Sequence, residues 1–125
     1  MNVYLLISGA LTVLTAAVHT IAGEILIISP LMKSRDLPTV RGSVWFVRKT
    51  LRFAWHLTTV LGLGIAAILF YYAGMETLSG DQIVVVKILS ATLFGGFLVS
   101  VIGARGRHPS WIVLLIASIL TWLAT

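Results

Sequence analysis

Three histidines and one glutamate are the residues of this sequence best suited to chemistry: His19, His56, His108 and Glu24. They lie in or beside long apolar runs, where an ionisable side chain is costly and for that reason often functional. Imidazole nitrogens combined with a carboxylate favour a divalent transition metal such as zinc, iron, manganese or copper. The group therefore predicts a metal site, in which Glu24 is a fourth ligand or supports one.

A b-type haem is the second cofactor that these residues predict, with His19 and His56 as its two axial ligands. Neither cofactor is indicated by a known motif, because the sequence contains no HExxH, HxxxH or CxxC. Glu24 follows His19 by five residues. On an ideal helix it therefore points about 140° away from that histidine. We expect Glu24 to join His19 only if the helix unwinds near Gly23, and otherwise to pair with Arg52.

A row of basic residues leads towards His56 along one helical face. At the angular spacing of an α-helix, one narrow stripe contains Arg41, Arg48, Arg52, His56 and Thr59. The simpler interpretation is a positive flank beside anionic lipid head groups, and it covers all nine Lys and Arg residues. The alternative is a surface of Arg41, Arg48 and Arg52 that docks lipid or a membrane protein partner. Neither interpretation calls for nucleic acid.

The composition places the elements that position these residues in a membrane. Of 125 residues, 58% are hydrophobic and only 10% are charged. The mean hydropathy is +1.04. A soluble domain is about half apolar and a quarter charged, and a chain this short cannot bury so much apolar surface. The absence of cysteine excludes disulfides, thiolate metal sites and thiol catalysis. No nucleophile, base and oxyanion set is visible, so a soluble-type enzyme is not predicted.

Four apolar segments predict an all-α membrane bundle of four spans, forming one domain over residues 1–125. The predicted spans are residues 3–28, 53–72, 83–102 and 109–124. The first helix is expected to end near Pro30, and the basic loop follows over residues 31–52. Within that loop Asp36 is a candidate cap for a helix that lies partly on the membrane surface ahead of the second span.

The distribution of charge predicts the orientation of the bundle. The first loop holds six Lys or Arg residues and the third holds two, whereas the second loop and both termini hold none. The positive-inside rule then places both basic loops in the cytoplasm and both termini outside, in a multi-pass plasma membrane protein of the bacterial inner-membrane type. His19 and His56 are expected about 5 Å below the cytoplasmic boundary, with His108 at the mouth of span four. All three histidines and Glu24 are thus predicted to gather at one end.

Small and aromatic residues predict how the helices pack. Two stripes of small or hydroxyl residues favour close helix contact: Ser8, Thr12, Thr15, His19 and Gly23 on the first span, and Thr92, Gly96, Ser100 and Gly103 on the third. Four tryptophans are interpreted as interfacial anchors: Trp45, Trp55, Trp111 and Trp122. Lys87 is expected to reach the outer interface or to meet Asp81 or Glu76.

Three functions are consistent with these patterns. The leading hypothesis is a membrane protein that binds a transition metal or haem b at its cytoplasmic His/Glu cluster, and that handles this cofactor or transfers protons or electrons. The second is a non-catalytic accessory subunit whose basic loop docks on anionic lipid, on a membrane protein partner or on another copy of the chain. The third is a small proton-coupled transporter, ranked last because no carboxylate lies deeper than Glu24.

Overall fold

A computed structural model describes residues 1–34 and 36–125 of the chain. Its elements, in order, are α1 (Val3–Gly23), a π-helical segment (Glu24–Ile28), α2 (Ser29–Lys33), α3 (Val44–Ala73), α4 (Gly80–Gly103) and α5 (Ser110–Leu123). Apart from one bridge between Val40 and Ser43, the described residues contain no β-structure. The predicted all-α class is confirmed.

Three continuous helices are long and apolar enough to cross a membrane, and they run over Val3–Lys33, Val44–Ala73 and Gly80–Gly103. About 20 helical residues are needed to cross the hydrocarbon core. The fourth helix, α5, is apolar but shorter. Large apolar side chains stand exposed around the bundle, as at Val60 and Val99, where lipid is the solvent that would cover them. The architecture fits a helical membrane bundle.

The tightest packing lies at the end of the bundle that carries the chain termini. α1 packs against α3 on one side and against α5 on the other, and α5 packs against α4. The buried core draws on all four of these helices: Leu5, Leu69, Ala73, Val86, Leu89, Leu93 and Ala117. Asn2 closes this end, because its backbone N–H donates to the Ala73 carbonyl at 2.8 Å. The opposite end, which carries the basic loops, has no comparable apolar core among the described residues.

Buried hydroxyl groups hold the helices in register. Ser8 Oγ lies 2.9 Å from the Ala117 carbonyl and 2.6 Å from Thr121 Oγ1, which joins α1 to α5. Ser90 Oγ donates to the Ser118 carbonyl at 2.8 Å, which joins α4 to α5. The packing role predicted for the first small-residue stripe is confirmed at Ser8.

The first helix continues beyond Pro30, so the predicted end there is wrong. Pro30 has no backbone N–H and its ring crowds the carbonyl four residues earlier, which normally breaks or kinks a helix. Here the π-helical segment precedes the proline, and the Ser29 N–H donates to the Glu24 carbonyl five residues back. The wider turn carries the chain past the proline, and α2 ends at Lys33.

The helix that enters the second span begins at Val44, so the predicted cap at Asp36 is wrong. The Asp36 N–H instead donates to Ser34 Oγ at 3.2 Å, in a non-helical stretch. Arg41 and Gly42 then form a tight turn with φ of 53° and 73°. A left-handed pair of this kind is incompatible with a helix. From Val44 onwards the basic segment and the second span form one continuous helix.

Candidate functional site

Glu24 is the centre of a polar network between α1 and α3. Its Oε1 accepts from Arg52 Nη2 at 2.7 Å and from Ser29 Oγ at 2.8 Å. Its Oε2 lies 3.2 Å from Nε2 of His56. Because Glu24 opens the π-helical segment, Ser29 stands one wide turn later, within reach of the same carboxylate. The expected pairing of Glu24 with Arg52 is confirmed.

His56 is fully engaged by this network. A carboxylate only accepts hydrogen bonds, so Nε2 of His56 carries the proton that is donated to Glu24. The other ring nitrogen, Nδ1, lies 3.2 Å from Thr20 Oγ1. Thr20 Oγ1 is also 2.7 Å from Thr59 Oγ1. Both nitrogens of His56 therefore have partners within the protein.

His19 contacts other residues of the same stretch of α3. Its ring stacks on Trp55, with centroids 4.3 Å apart and planes 9° from parallel. Trp55 Nε1 donates to the His19 carbonyl at 3.1 Å. Gly23 makes this packing possible, since a Cβ at that position would overlap the Trp55 ring. Trp55, interpreted from the sequence as an interfacial anchor, is thus the ring partner of His19.

The contacts of His19 favour one of its two neutral tautomers. Nε2 lies 3.3 Å from the Trp55 carbonyl and 2.9 Å from Thr58 Oγ1. A carbonyl oxygen only accepts, so Nε2 is the protonated nitrogen of the neutral ring. Nδ1 has no hydrogen-bond partner among the described residues, and its lone pair is therefore available to a ligand.

His108 has the complementary arrangement. The Ser110 backbone N–H donates to Nδ1 of His108 at 3.2 Å, and Ser110 Oγ lies 2.7 Å from the same nitrogen. Nδ1 is therefore the acceptor, and the proton of the neutral ring is on Nε2. Ser100 Oγ, 2.7 Å from Ser110 Oγ, extends this chain of hydroxyl groups into α4.

A cavity of about 230 Å³ brings His19 and His108 to one site. It lies between α1, the middle of α3 and the start of α5. Its lining is predominantly apolar, with two imidazoles and two hydroxyl side chains as polar exceptions, and consists of Leu14, Thr15, Val18, His19, Gly23, Ile27, Trp55, His108, Pro109, Ser110 and Val113. The structure therefore divides the predicted cluster: His19 and His108 line the cavity, while His56 and Glu24 belong to the network with Arg52.

No metal geometry is present within residues 1–34 and 36–125, since no three His, Asp or Glu side chains are grouped to hold an ion. Glu24 is neutralised by Arg52, and both nitrogens of His56 have partners. The predicted haem ligands, His19 and His56, have their rings in separate hydrogen-bond systems. Metal and haem binding stay predictions.

The basic stripe on α3 continues from Arg48 to Thr59. Arg48 Nη2 donates to the Ser34 carbonyl at 3.0 Å, while its Nε is buried without a partner in the described part of the chain. Arg52 and His56 follow on the same face and meet Glu24. Arg41 lies outside the helix, in the exposed turn before it, so its predicted place in the helical stripe is wrong.

Sequence reasoning located the histidine end of the bundle but missed the partners of each imidazole. Trp55, Thr58 and Ser110 decide which nitrogens are free. One sequence signal pointed to the stack: Gly23, one turn after His19, is the only residue type that leaves room for an indole there.

Comparison with known proteins yields no relative: no family model matches the chain, and neither does a curated protein or a solved structure. Function must therefore be inferred from the geometry of the chain itself.

Proposed function

We propose that this membrane protein binds a lipid-soluble small molecule in the cavity lined by His19 and His108. The observation that carries the proposal is the cavity itself, which combines a largely apolar wall with two imidazoles. Each imidazole retains a ring nitrogen that has no partner in the described part of the chain. Small-molecule sites in proteins are typically apolar clefts with a few polar groups that orient the ligand.

The depth of the cavity supports a ligand drawn from the bilayer. His19 follows Asn2, at the terminal end of the bundle, by 17 residues. That spacing corresponds to about 26 Å along the helix, close to the roughly 30 Å thickness of the hydrocarbon core. His19 thus lies just inside the far boundary, where an apolar body and a polar group are both accommodated.

The part of the cavity wall that α1 forms is exposed on the outside of the bundle. Leu14 and Val18 line it and are 55% and 54% exposed. Side chains exposed at this depth face acyl chains, so a hydrophobic molecule can enter from the membrane without crossing water.

The orientation belongs to the same proposal. Arg105 and Arg107 lie in the turn before His108. Arg52 lies in α3, where it pairs with Glu24. The positive-inside rule assigns this end to the cytoplasm of a plasma membrane, of the bacterial inner-membrane type, with both termini outside.

The metal or haem function has weaker support than organic-ligand binding. Glu24 and His56 satisfy each other and Arg52, so His19 and His108 remain as the histidines with a free nitrogen. Two imidazoles are fewer than the three or four protein ligands typical of a zinc site.

A docking role for the basic segment is a second candidate. α3 extends beyond Arg52 over Val44–Leu51, about 12 Å of helix. Trp45 on this extension is 65% exposed, and Lys49 Nζ lies 6.0 Å from the centre of its ring. An amphipathic ring beside a cation suits an anionic head group at the interface. The Arg48→Gln/Lys49→Gln double variant should then retain less phosphatidylglycerol in native mass spectra than the wild type does.

Butylbenzene, an apolar probe without hydrogen-bonding groups, tests the leading proposal. In one detergent and at one probe concentration, the probe should raise the unfolding temperature of the wild type, by an amount equivalent to about 1.4 kcal/mol at ten times Kd. Val18→Trp fills the cavity and should abolish the increase. Val99→Trp places the same ring on an exposed site of α4 away from the cavity and should preserve it. Equal responses in the two variants would refute cavity binding.

A further inference from the structure

We infer that the ligand carries a hydroxyl group on an apolar body. His19 accepts a hydrogen bond from this hydroxyl, and His108 donates a hydrogen bond to its oxygen. The inference rests on the proposed function, because it specifies the chemical class of the molecule in that same cavity. The ligand then belongs to the alcohols or phenols.

The two imidazoles offer opposite hydrogen-bonding groups. In His19 the Trp55 carbonyl holds the proton on Nε2, so that Nδ1 presents a lone pair. In His108 the Ser110 backbone N–H occupies Nδ1, so that Nε2 presents an N–H. The two imidazoles in the lining of the cavity therefore offer one acceptor and one donor that have no partner within the described chain.

A hydroxyl is the smallest group that matches both. It donates one hydrogen bond and accepts others, so one hydroxyl group supplies the kind of partner that each of the two nitrogens lacks. A ketone or an ether only accepts and leaves Nδ1 of His19 without a partner. A carboxylate places negative charge beside that lone pair, and a primary amide brings an additional N–H into an apolar space. A ligand that leaves one of the two nitrogens without a partner gains one hydrogen bond fewer from the site.

The chain anchors both tautomers through its backbone. His19 is held by a main-chain carbonyl and His108 by a main-chain N–H. Side-chain replacements elsewhere leave these groups in place, so the donor and the acceptor are built into the helix pair and into the first turn of α5.

A matched set of three probes separates the two hydrogen bonds: 4-butylphenol, its methyl ether and butylbenzene. The phenol donates and accepts, the ether only accepts, and the hydrocarbon does neither. Relative affinities are read from the rise in unfolding temperature of the purified full-length protein. The free concentration of each probe, after its partition into the detergent, is matched. One net hydrogen bond corresponds to roughly threefold to tenfold in affinity. The wild type should therefore rank phenol above ether and ether above hydrocarbon, with each step in that range.

Three variants assign each step to its histidine. His19→Phe keeps a ring to stack on Trp55 but loses the acceptor, so it should remove the advantage of the phenol over the ether. His19→Gln restores an acceptor and should recover part of that advantage. His108→Phe should instead remove the advantage of the ether over the hydrocarbon. Butylbenzene should stabilise all three variants, which shows that they are folded and that the cavity is intact.

The outcomes distinguish this inference from the proposed function. Suppose that the three probes bind the wild type equally well and that none binds Val18→Trp. That result would overturn the hydroxyl assignment and still support binding in the cavity. A phenol preference that survives His19→Phe would also overturn it. Failure of every probe to stabilise the wild type would contradict the cavity and the hydroxyl assignment together.

Discussion

At the scale of single residues, His19 and His56 differ in what their ring nitrogens contact. His56 is held between Glu24 and Thr20, whereas His19 has one nitrogen on the Trp55 carbonyl and the other free. Both residues are histidines, and their positions in the sequence predict a similar depth in the bilayer. The two histidines differ in how many ring nitrogens are left for a ligand, because that number depends on the residues that each ring meets on the facing helix.

The network around Glu24 gives a testable stability contribution. Glu24→Gln removes the charge that pairs with Arg52 and weakens the contact with His56, so it should lower the unfolding temperature in detergent. Salt screens an exposed ion pair, so the difference from the wild type should shrink at high ionic strength. Glu76→Gln is the matched control, because Glu76 is exposed and forms no ion pair within the described chain. Equal effects of the two substitutions would contradict the structural role of Glu24.

Ser8 supports a second prediction at this scale. Its buried hydroxyl joins α1 to both Ala117 and Thr121. Ser8→Ala should lower the free energy of unfolding by about 1 kcal/mol, since hydrogen bonds between membrane helices contribute roughly 0.6–2 kcal/mol. Thr92→Val should have little effect, because Thr92 is exposed and its hydroxyl bonds only to its own helix, at Ile88. Denaturation in mixed micelles measures both, and a larger loss for Thr92→Val would contradict the assignment.

At the scale of elements, the contact between α1 and α3 depends on glycine. Gly23→Ala should cost about 1–3 kcal/mol, as overpacking does, because the new Cβ overlaps the Trp55 ring. Gly64→Ala adds the same group on α3 with nothing within 4 Å, and should be neutral or stabilising since alanine favours helix. Comparison of the two unfolding free energies checks the packing. A smaller cost at Gly23 than at Gly64 would contradict it.

The three long apolar helices and the shorter fourth one were predictable from sequence because hydropathy and length are properties of the chain alone. The course of the chain around Pro30 was not, since a wide turn ahead of a proline allows the helix to continue where a regular turn would end it. Asp36 failed as a helix cap for a similar reason. A left-handed turn at Arg41 and Gly42 separates it from α3, and such a turn follows from local backbone energetics that capping preferences do not reveal.

The candidate site was predictable in location but not in composition. Antiparallel spans with charged loops brought the three histidines to one end of the sequence-derived bundle. The orientation of the side chains at the helix interfaces decides which of these histidines share a cavity, and the sequence does not reveal that orientation. Lys87 illustrates the same limit: its Nζ lies 5.3 Å from the centre of the Trp122 ring, rather than beside Asp81 or Glu76.

At the scale of the whole molecule, the proposed orientation is directly testable because the chain contains no cysteine. Thr77→Cys lies in the loop between α3 and α4, and Thr39→Cys lies in the basic loop; both positions are exposed. A membrane-impermeant maleimide should label Thr77→Cys in intact cells. It should label Thr39→Cys only after the membrane is permeabilised. The reverse pattern would overturn the orientation.

Ligand binding is the central claim for the whole molecule, and mass spectrometry of the protein released from its native membrane in mild detergent tests it most directly. The account predicts a bound, uncharged organic molecule on the wild type and on Val99→Trp, and its loss from Val18→Trp. The same preparations are analysed for metal content and for visible absorption. A stoichiometric metal or a haem band that depends on His19, with no organic molecule bound to the wild type, would contradict the account.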